Sequence, residues 1–561
     1  MGLLRSLTRP RNDMSFLNGQ SKTITGAAII IAGTTLISRL IGLFRDRIFA
    51  HYFGAGPIMD AYYAAFKVPD LIYNLLIVGA LSAAFIPTFT RLFHEGEDKS
   101  PAWKLANNIL NITAVSLLAL SALGVIFTPA LAAIIAPGFN GFSRELVISF
   151  TRIMFGSTFL LGLSMVLGGI LQSLRSFFMY SIAPIFYNLG IIVGAVALVP
   201  AIGISGLAWG VVLGAAMHFL LQLYSAYANG WRWQWIFRPR EKNTLSVAKL
   251  MAPRTMGLAV SQLNLVIITM LASLLPAGSV AIFNFASNLQ AVPIGIFGIP
   301  FAMAVFPVLS AAAAKNDHVE FVKNLSATMR QIIFLIVPLS IIMMLLRAQI
   351  VRVVLGTGEF NWTATIATAD ALALFALSLF AQALIPLLAR AFYALSNTKT
   401  PFVIGVISEL IGIIASLLLM KPLCVAGLAL AFSIAAVVNF TALSLALRSE
   451  LKSRSPAIVT ASEAKQPLSF TSSVYKIIIA TVPMALAVQF LKYPLAEIFD
   501  QRYFWGIFGQ GAVAGLAGLA IYCLLCYILK VPELLQLKNA LTRRWLRVKN
   551  LPTTEAITNN E

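Results

Sequence analysis

Long continuous apolar runs, separated by short polar and basic stretches, dominate the chain. Continuity, rather than alternation of apolar and polar residues, points to helices in lipid and away from a closed β-barrel. A spanning helix takes about 20 predominantly apolar residues, and on that measure the pattern predicts about fourteen spans. They lie near 24–44, 58–90, 105–135, 146–172, 177–199, 203–227, 247–275, 279–312, 324–346, 364–393, 401–420, 424–447, 475–491 and 505–529. The predicted fold class is therefore an all-α polytopic membrane protein.

Composition sharpens this reading. Of 561 residues, 59% are hydrophobic and 11% charged, with a mean hydropathy of +0.85. A soluble globular chain carries about 25% charged residues, so several soluble domains could not be coated. The net charge of +20 raises nucleic acid as a partner, and its placement argues against one. With the N-terminus inside, most of the 41 Lys and Arg fall in inside segments, in clusters such as Arg9/Arg11, Arg232–Lys242, Arg448–Lys452 and Arg543–Lys549. Few, among them Arg45, Arg47, Arg347 and Arg352, fall outside. That bias places both termini in the cytoplasm and makes the span number even. The expected location is multi-pass in a membrane. Residues 1–22 are polar and basic, without the apolar run of a cleavable signal peptide.

An internal repeat divides the chain. Ser38-Arg39-Leu40 recurs as Ser261-Gln262-Leu263, Ala55-Gly56 as Ala277-Gly278, Pro69 as Pro293, and Phe85-Ile86-Pro87 as Val305-Phe306-Pro307. Gly206-Leu207-Ala208 recurs as Gly427-Leu428-Ala429, all at shifts of about 220 residues. Each unit holds six spans, an even number, so the two are parallel repeats about an axis along the membrane normal. The expected organisation is a cytoplasmic segment 1–23, a first lobe 24–228, a basic linker 229–246 and a second lobe 247–449. A cytoplasmic linker 450–474, two unrepeated spans within 475–530 and a basic tail 531–561 follow.

Ionisable groups within a membrane cost about 2.5–3.5 kcal/mol on insertion scales and usually face a cavity. The densest group, Arg39, Arg45, Asp46, Arg47, Asp60, Lys67 and Asp70, lies in the first two spans. Arg39 and Arg45 stand about 9 Å apart along a helix, a separation that suits the two ends of an anionic headgroup held by planar guanidinium forks. The repeat places Gln262 opposite Arg39, so the cationic character belongs to the first lobe. Arg254 either reaches the same cleft or snorkels inward. Asp370 and Glu409 are the remaining membrane acids and the candidates for ion coupling; a neutral carboxyl hydrogen-bonded between helices is the alternative for Glu409. Prolines such as Pro69, Pro184, Pro293, Pro338 and Pro386 bend spans. Cys523-x-x-Cys526 and Gly511-x-x-x-Gly515 read as packing motifs of the last span. The four histidines lack metal-ligand spacing, and there is no phosphate-binding loop or hydrolytic triad.

The stretch Ser38-Arg39-Leu40-Ile41-Gly42-Leu43-Phe44-Arg45-Asp46 opens a resemblance to a known family. It continues through Phe53-Gly54-Ala55-Gly56, Asp60-Ala61, Ala65-Phe66-Lys67-Val68-Pro69 and Phe85-Ile86-Pro87, and later through Met251-x-Pro253 and Thr398-Lys399-Thr400-Pro401. The chain resembles the MurJ/MviN family of lipid II flippases, within the multidrug/oligosaccharidyl-lipid/polysaccharide exporter superfamily. The resemblance implies fourteen helices in two six-helix lobes plus two, and an alternating inward/outward cycle. It implies movement of undecaprenyl-diphosphate-linked peptidoglycan precursor from the inner to the outer leaflet of a bacterial cytoplasmic membrane, without covalent chemistry or cofactor, for cell-wall synthesis. The implied headgroup residues are Arg39, Arg45 and Lys67, with Arg254 beside them; Asp46, Asp60, Gln262 and Asn288 are the supporting or gating positions. Family members commonly carry arginines where this chain has Tyr73-Asn74 and Asn288, which leaves open another polyprenyl-linked glycan; a cation-coupled drug or solute exporter on the same fold, using Asp370 or Glu409, is the other alternative. Membrane potential or a cation is the expected driving force, membrane lipids are the surroundings, and a monomer is the expected working form.

Overall fold

The computed structural model describes residues 24–75, 85–95, 97–454 and 467–536. Every regular element among them is a helix. In order these are α1 (Ile24–Phe53), α2 (Pro57–Ala65), α3 (Lys67–Tyr73), α4 (Ile86–His94), α5 (Ser100–Ile135) and α6 (Gly141–Ser173). Then come α7 (Phe177–Ile202), α8 (Gly206–Ala228), α9 (Lys242–Ser273), α10 (Ser279–Ala314) and α11 (His318–Leu345). The rest are α12 (Arg347–Val354), α13 (Trp362–Ala376), α14 (Leu379–Ala394), α15 (Lys399–Arg454), α16 (Pro467–Ile498) and α17 (Phe504–Ile528).

Among the described residues nine helices are long and apolar enough to cross a membrane, or ten with the pair α13 and α14, bent by 46°, taken as one. The 56-residue α15 enters that count once, yet Cys424 (φ 49, ψ −130) breaks it. The break falls between the apolar runs 401–420 and 424–447, so two spans meet there. Helices α1 and α9, 30 and 32 residues long, carry the first and seventh runs.

The run 58–90, expected as one span, is interrupted. α2 ends at Ala65, and Phe66 (φ −67, ψ −26) leads into α3. Pro69 has no N–H to give the carbonyl of Ala65, four residues back. The Thr151 hydroxyl of α6 donates to that carbonyl instead, at 3.4 Å. Residues 76–84 of this run lie outside the described residues.

The chain divides into two compact units. The first comprises Met1–Phe285, Val354–Ala364 and Ile413–Leu428. Its core is built by Phe85, Phe89, Leu105, Leu117, Leu167 and Ile170 from α4, α5 and α6. Within it α7 and α8 touch through glycines four residues apart on each helix. A Cβ on Gly190 would lie 2.2 Å from Gly214 Cα, and one on Gly210 would lie 2.5 Å from Gly194 Cα. In lipid, where burial of apolar surface gives no drive between helices, such backbone approach supplies the dispersion contact. Gly206 and Gly427, paired by the repeat, occupy like environments: each packs against the backbone eight residues back, at Leu198 and Leu419.

The second unit comprises Ala286–Val353, Thr365–Gly412 and Ala429–Glu561. Helix α14 is its buried centre, with Leu379, Leu384, Leu387 and Phe392 fully enclosed. Leu346, Val488, Leu495 and Ala514 join α16 and α17 to the end of α11. A Cβ on Gly511 would meet Gln349 at 3.3 Å and one on Gly515 would meet Leu346 at 3.4 Å, so the glycine motif of the last span is a packing face. Cys526 is buried and all three cysteines are free. The segment after α17, expected as the start of a basic tail, is docked. Glu533, buried, accepts from Arg330 Nε of α11 at 2.8 Å and from the Ser473 hydroxyl of α16 at 2.8 Å.

Candidate functional site

Helix α1 presents Arg39, half-buried, and the adjacent pair Arg45 and Asp46. Arg45 donates from Nε and Nη2 to one oxygen of Asp46, at 3.1 and 2.8 Å. Its third donor, Nη1, reaches Asn188 Oδ1 of α7 at 3.1 Å. The Asn188 amide nitrogen is taken by the Pro184 carbonyl at 3.0 Å, which aims the Asn188 oxygen at the guanidinium. The Phe49 ring lies 5.7 Å from the guanidinium carbon. The Asp46 side chain is 3% exposed and that of Arg45 20%. Arg45 is thus fixed by a counter-ion and a neutral acceptor, and its side chain keeps some exposed surface.

Tyrosines surround this pair. The Tyr62 ring stands 5.0 Å from Phe49 and 5.5 Å from Tyr63. Tyr187 directly precedes Asn188 on α7. Lys67 and Asp70 stand three positions apart on α3. Lys67 is half-buried and Asp70 exposed. Helix α1 thus meets α7 through Arg45 and Asn188, and α2 through Phe49 and Tyr62, inside the first unit. Asn188 and the tyrosines are absent from the sequence-derived site. Their signal was available: a polar side chain in an apolar span needs a partner.

Asp60, expected as a supporting or gating residue, has a defined partner. Its carboxylate accepts the backbone N–H of Gly278 at 2.5 Å and of Ala281 at 2.8 Å, and it is 2% exposed. It caps α10 from a distant part of the chain, where exposed amides and the helix dipole favour an anion. Gly278 adopts φ +95, and a Cβ there would lie 2.4 Å from the Ala55 carbonyl oxygen. The turns that the repeat pairs, Ala55-Gly56 and Ala277-Gly278, therefore touch. A third turn joins them through the Glu359 N–H, which donates to the His51 carbonyl at 3.0 Å. The repeat sets Ile282 opposite Asp60, so the cap is one-sided.

The remaining expected residues are dispersed. Gln262 on α9 and Asn288 on α10 are half-buried. Arg254 lies on α9, but its side chain is outside the described residues. Asp370 on α13 pairs with Arg347 at 3.5 Å, both about half exposed. Glu409 on α15 is half-buried. Arg390 donates to the Pro386 carbonyl of its own helix at 3.2 Å. Among the described residues no cluster of His, Cys, Asp and Glu could hold a metal ion.

A family model described as "Lipid II flippase MurJ" matches residues 49–500. A probable lipid II flippase MurJ of Buchnera aphidicola is 31% identical over 422 residues, covering 74% of this chain and 82% of that protein. The lipid II flippase MurJ of Burkholderia cenocepacia is 29% identical over 431 residues, covering 75% and 83%. Among solved structures, a lipid II flippase MurJ in an inward closed conformation superposes with a TM-score of 0.73 at 24% identity. It covers 89% of this chain and 98% of that one, and this likeness speaks for the fold.

Proposed function

The chain belongs to the MurJ family of lipid II flippases, and from that membership we propose that it carries lipid II from the inner to the outer leaflet of the cytoplasmic membrane by alternating access. The lipid tail stays in the bilayer while the polar headgroup crosses, and no covalent bond changes. The observation that carries the reading of the site is the Arg45 fork, held by Asp46 and Asn188 in the first unit, with Arg39 six residues earlier on the same helix.

A diphosphate offers acceptors to several guanidinium donors at once, and bidentate charge-assisted bonds are the strong ones. Asp46 holds Arg45 in place before the headgroup arrives, so little ordering is required on binding. The incoming phosphate competes with Asp46 for the same donors, and the carboxylate takes them back on release. That exchange keeps the cation compensated throughout and prevents the site from trapping its cargo. Arg39 and Lys67 add the charge that Asp46 cancels at Arg45.

Both termini face the cytoplasm in this reading, and the chain acts as a monomer. An inside-negative potential draws the emptied cationic lobe inward, with Glu409 or Asp370 as cation-coupling carboxylates. The deciding experiment is rescue of flippase-depleted cells, combined with a leaflet assay for lipid II. Wild type should restore outer-leaflet lipid II and growth; Arg39→Ala with Arg45→Ala should restore neither. Full rescue by that double variant would remove these residues from the site. Rescue failure by the wild type would transfer the scaffold to another polyprenyl-linked glycan.

A further inference from the structure

Three buried asparagines on α5 serve no part of the cationic cluster. Asn107, Asn108 and Asn111 are 0%, 0% and 2% exposed. They clamp the extended segment after α8. Asn107 donates to the Arg232 carbonyl at 3.0 Å and accepts from the Gln234 N–H at 3.1 Å. Asn111 donates to the carbonyls of Gln234 and Ile236, at 2.8 and 3.0 Å, and accepts from Trp233 Nε1 at 3.1 Å. Asn108 donates to the Arg238 carbonyl at 2.9 Å and accepts the Arg238 N–H at 2.7 Å. The linker expected at 229–246 is, over residues 232–238, a strap fixed to the first unit.

In an extended strap alternate side chains share a face. Trp233, Trp235 and Phe237 fall on one such face and are 58%, 65% and 45% exposed. Tryptophan at the level of lipid headgroups is the usual membrane anchor. Above the strap, α5, α6 and α8 leave an apolar groove of about 610 Å³, walled by Leu110, Leu163, Leu167, Phe219, Leu223 and Trp233. Its size falls in the range of ligand sites, roughly 300–1,000 Å³. At its edge the Arg232 guanidinium lies 3.9 Å from the ring centre of Tyr227, which also lines the groove. Arg232 Nη1 is fixed by the carbonyls of Tyr227 and Trp231, at 2.6 and 2.8 Å. Its remaining donors point to no described partner. Arg238 ends the strap, and Arg240 and Lys242 follow it into the start of α9.

We propose that this groove holds one anionic phospholipid of the inner leaflet, an acyl chain against the apolar walls and the phosphate on Arg232. The apolar wall specifies a hydrocarbon chain, and the basic strap specifies a negative headgroup. The charge bias of the loops puts this end of α8 on the cytoplasmic side, where such lipids are reached. A zwitterionic lipid offers Arg232 the same phosphate, but it also brings a cationic ammonium to the basic run Arg238, Arg240 and Lys242, which favours the net-anionic headgroup. The lipid's role here is as a bound ligand of the first unit, separate from the transported one.

The test uses the full chain purified in neutral detergent, with lipid adducts counted by native mass spectrometry. Dioleoylphosphatidylglycerol should bind at least tenfold more tightly than dioleoylphosphatidylcholine. Arg232→Gln, a change at an exposed side chain, should weaken the phosphatidylglycerol adduct at least fivefold, and the weaker phosphatidylcholine adduct with it, since both lipids carry the phosphate. Ala114→Phe, which fills the groove from α5, should weaken it as well. Equal binding of the two lipids, or full phosphatidylglycerol binding in both variants, overturns the proposal. So does displacement of phosphatidylglycerol by undecaprenyl phosphate at equal concentration, which would assign the groove to a polyprenyl chain.

Discussion

Asp60→Ala should loosen the start of α10 while leaving α2 in place. The carboxylate is 2% exposed and accepts two backbone N–H groups, of Gly278 and Ala281. Loss of an N-cap costs about 0.5–2 kcal/mol. Buried hydrogen bonds to a charged acceptor are worth about 1.5–3 kcal/mol each. The two figures overlap, since the cap is made of these bonds. About 3 kcal/mol is therefore the expected cost of the alanine, and about 1 kcal/mol that of Asp60→Asn, which keeps one acceptor oxygen. At 1.4 kcal/mol per tenfold, the alanine should raise local opening by roughly two orders of magnitude. Hydrogen exchange of the peptide 276–285 in lipid nanodiscs reads this directly, with α8 as the internal control. Protection in Asp60→Ala within twofold of the parent would refute the cap, because it would mean that water serves the two amides equally well.

Three further outcomes follow from the geometry. Gly210→Leu should destabilise the first unit by about 1–3 kcal/mol, since its side chain would collide with Gly194, and the melting temperature in detergent should fall. Arg330→Ala should cost about 3–5 kcal/mol by leaving the buried Glu533 without its cation, seen as faster trypsin cleavage after α17; Arg330→Met with Glu533→Leu should recover much of the loss. Arg45→Lys keeps the charge but loses the fork, and Asn188→Ala removes one acceptor. In the rescue assay the lysine variant should fall close to Arg45→Ala, with Asn188→Ala between it and wild type.

The spans, the membrane class and the concentration of charge in the first lobe are legible in the sequence because hydropathy is a local property. Each residue contributes to it wherever the chain goes. The repeat is legible for a similar reason: Gly206 and Gly427 each meet backbone only eight residues away. Pro69 announces the interruption of the second span, but hydropathy alone runs straight through it. Asp46 and Arg45 are adjacent and could be paired by inspection.

Other partnerships are set by the approach of distant helices. Asn188 is 143 residues from Arg45, and Asp60 is 218 and 221 residues from the amides it caps. Asn107, Asn108 and Asn111 find the strap more than a hundred residues on. A polar side chain in lipid must have a partner, so the sequence determines that such bonds exist. Which groups form them is decided by helix packing, through contacts like those of Gly190 with Gly214. The chain's order thus specifies that this is a helical membrane protein with a cationic first lobe. Only the tertiary structure turns Asp60 into a helix cap, Arg45 into a held fork and a basic linker into a strap clamped by three asparagines, because each depends on a distance that no local pattern encodes.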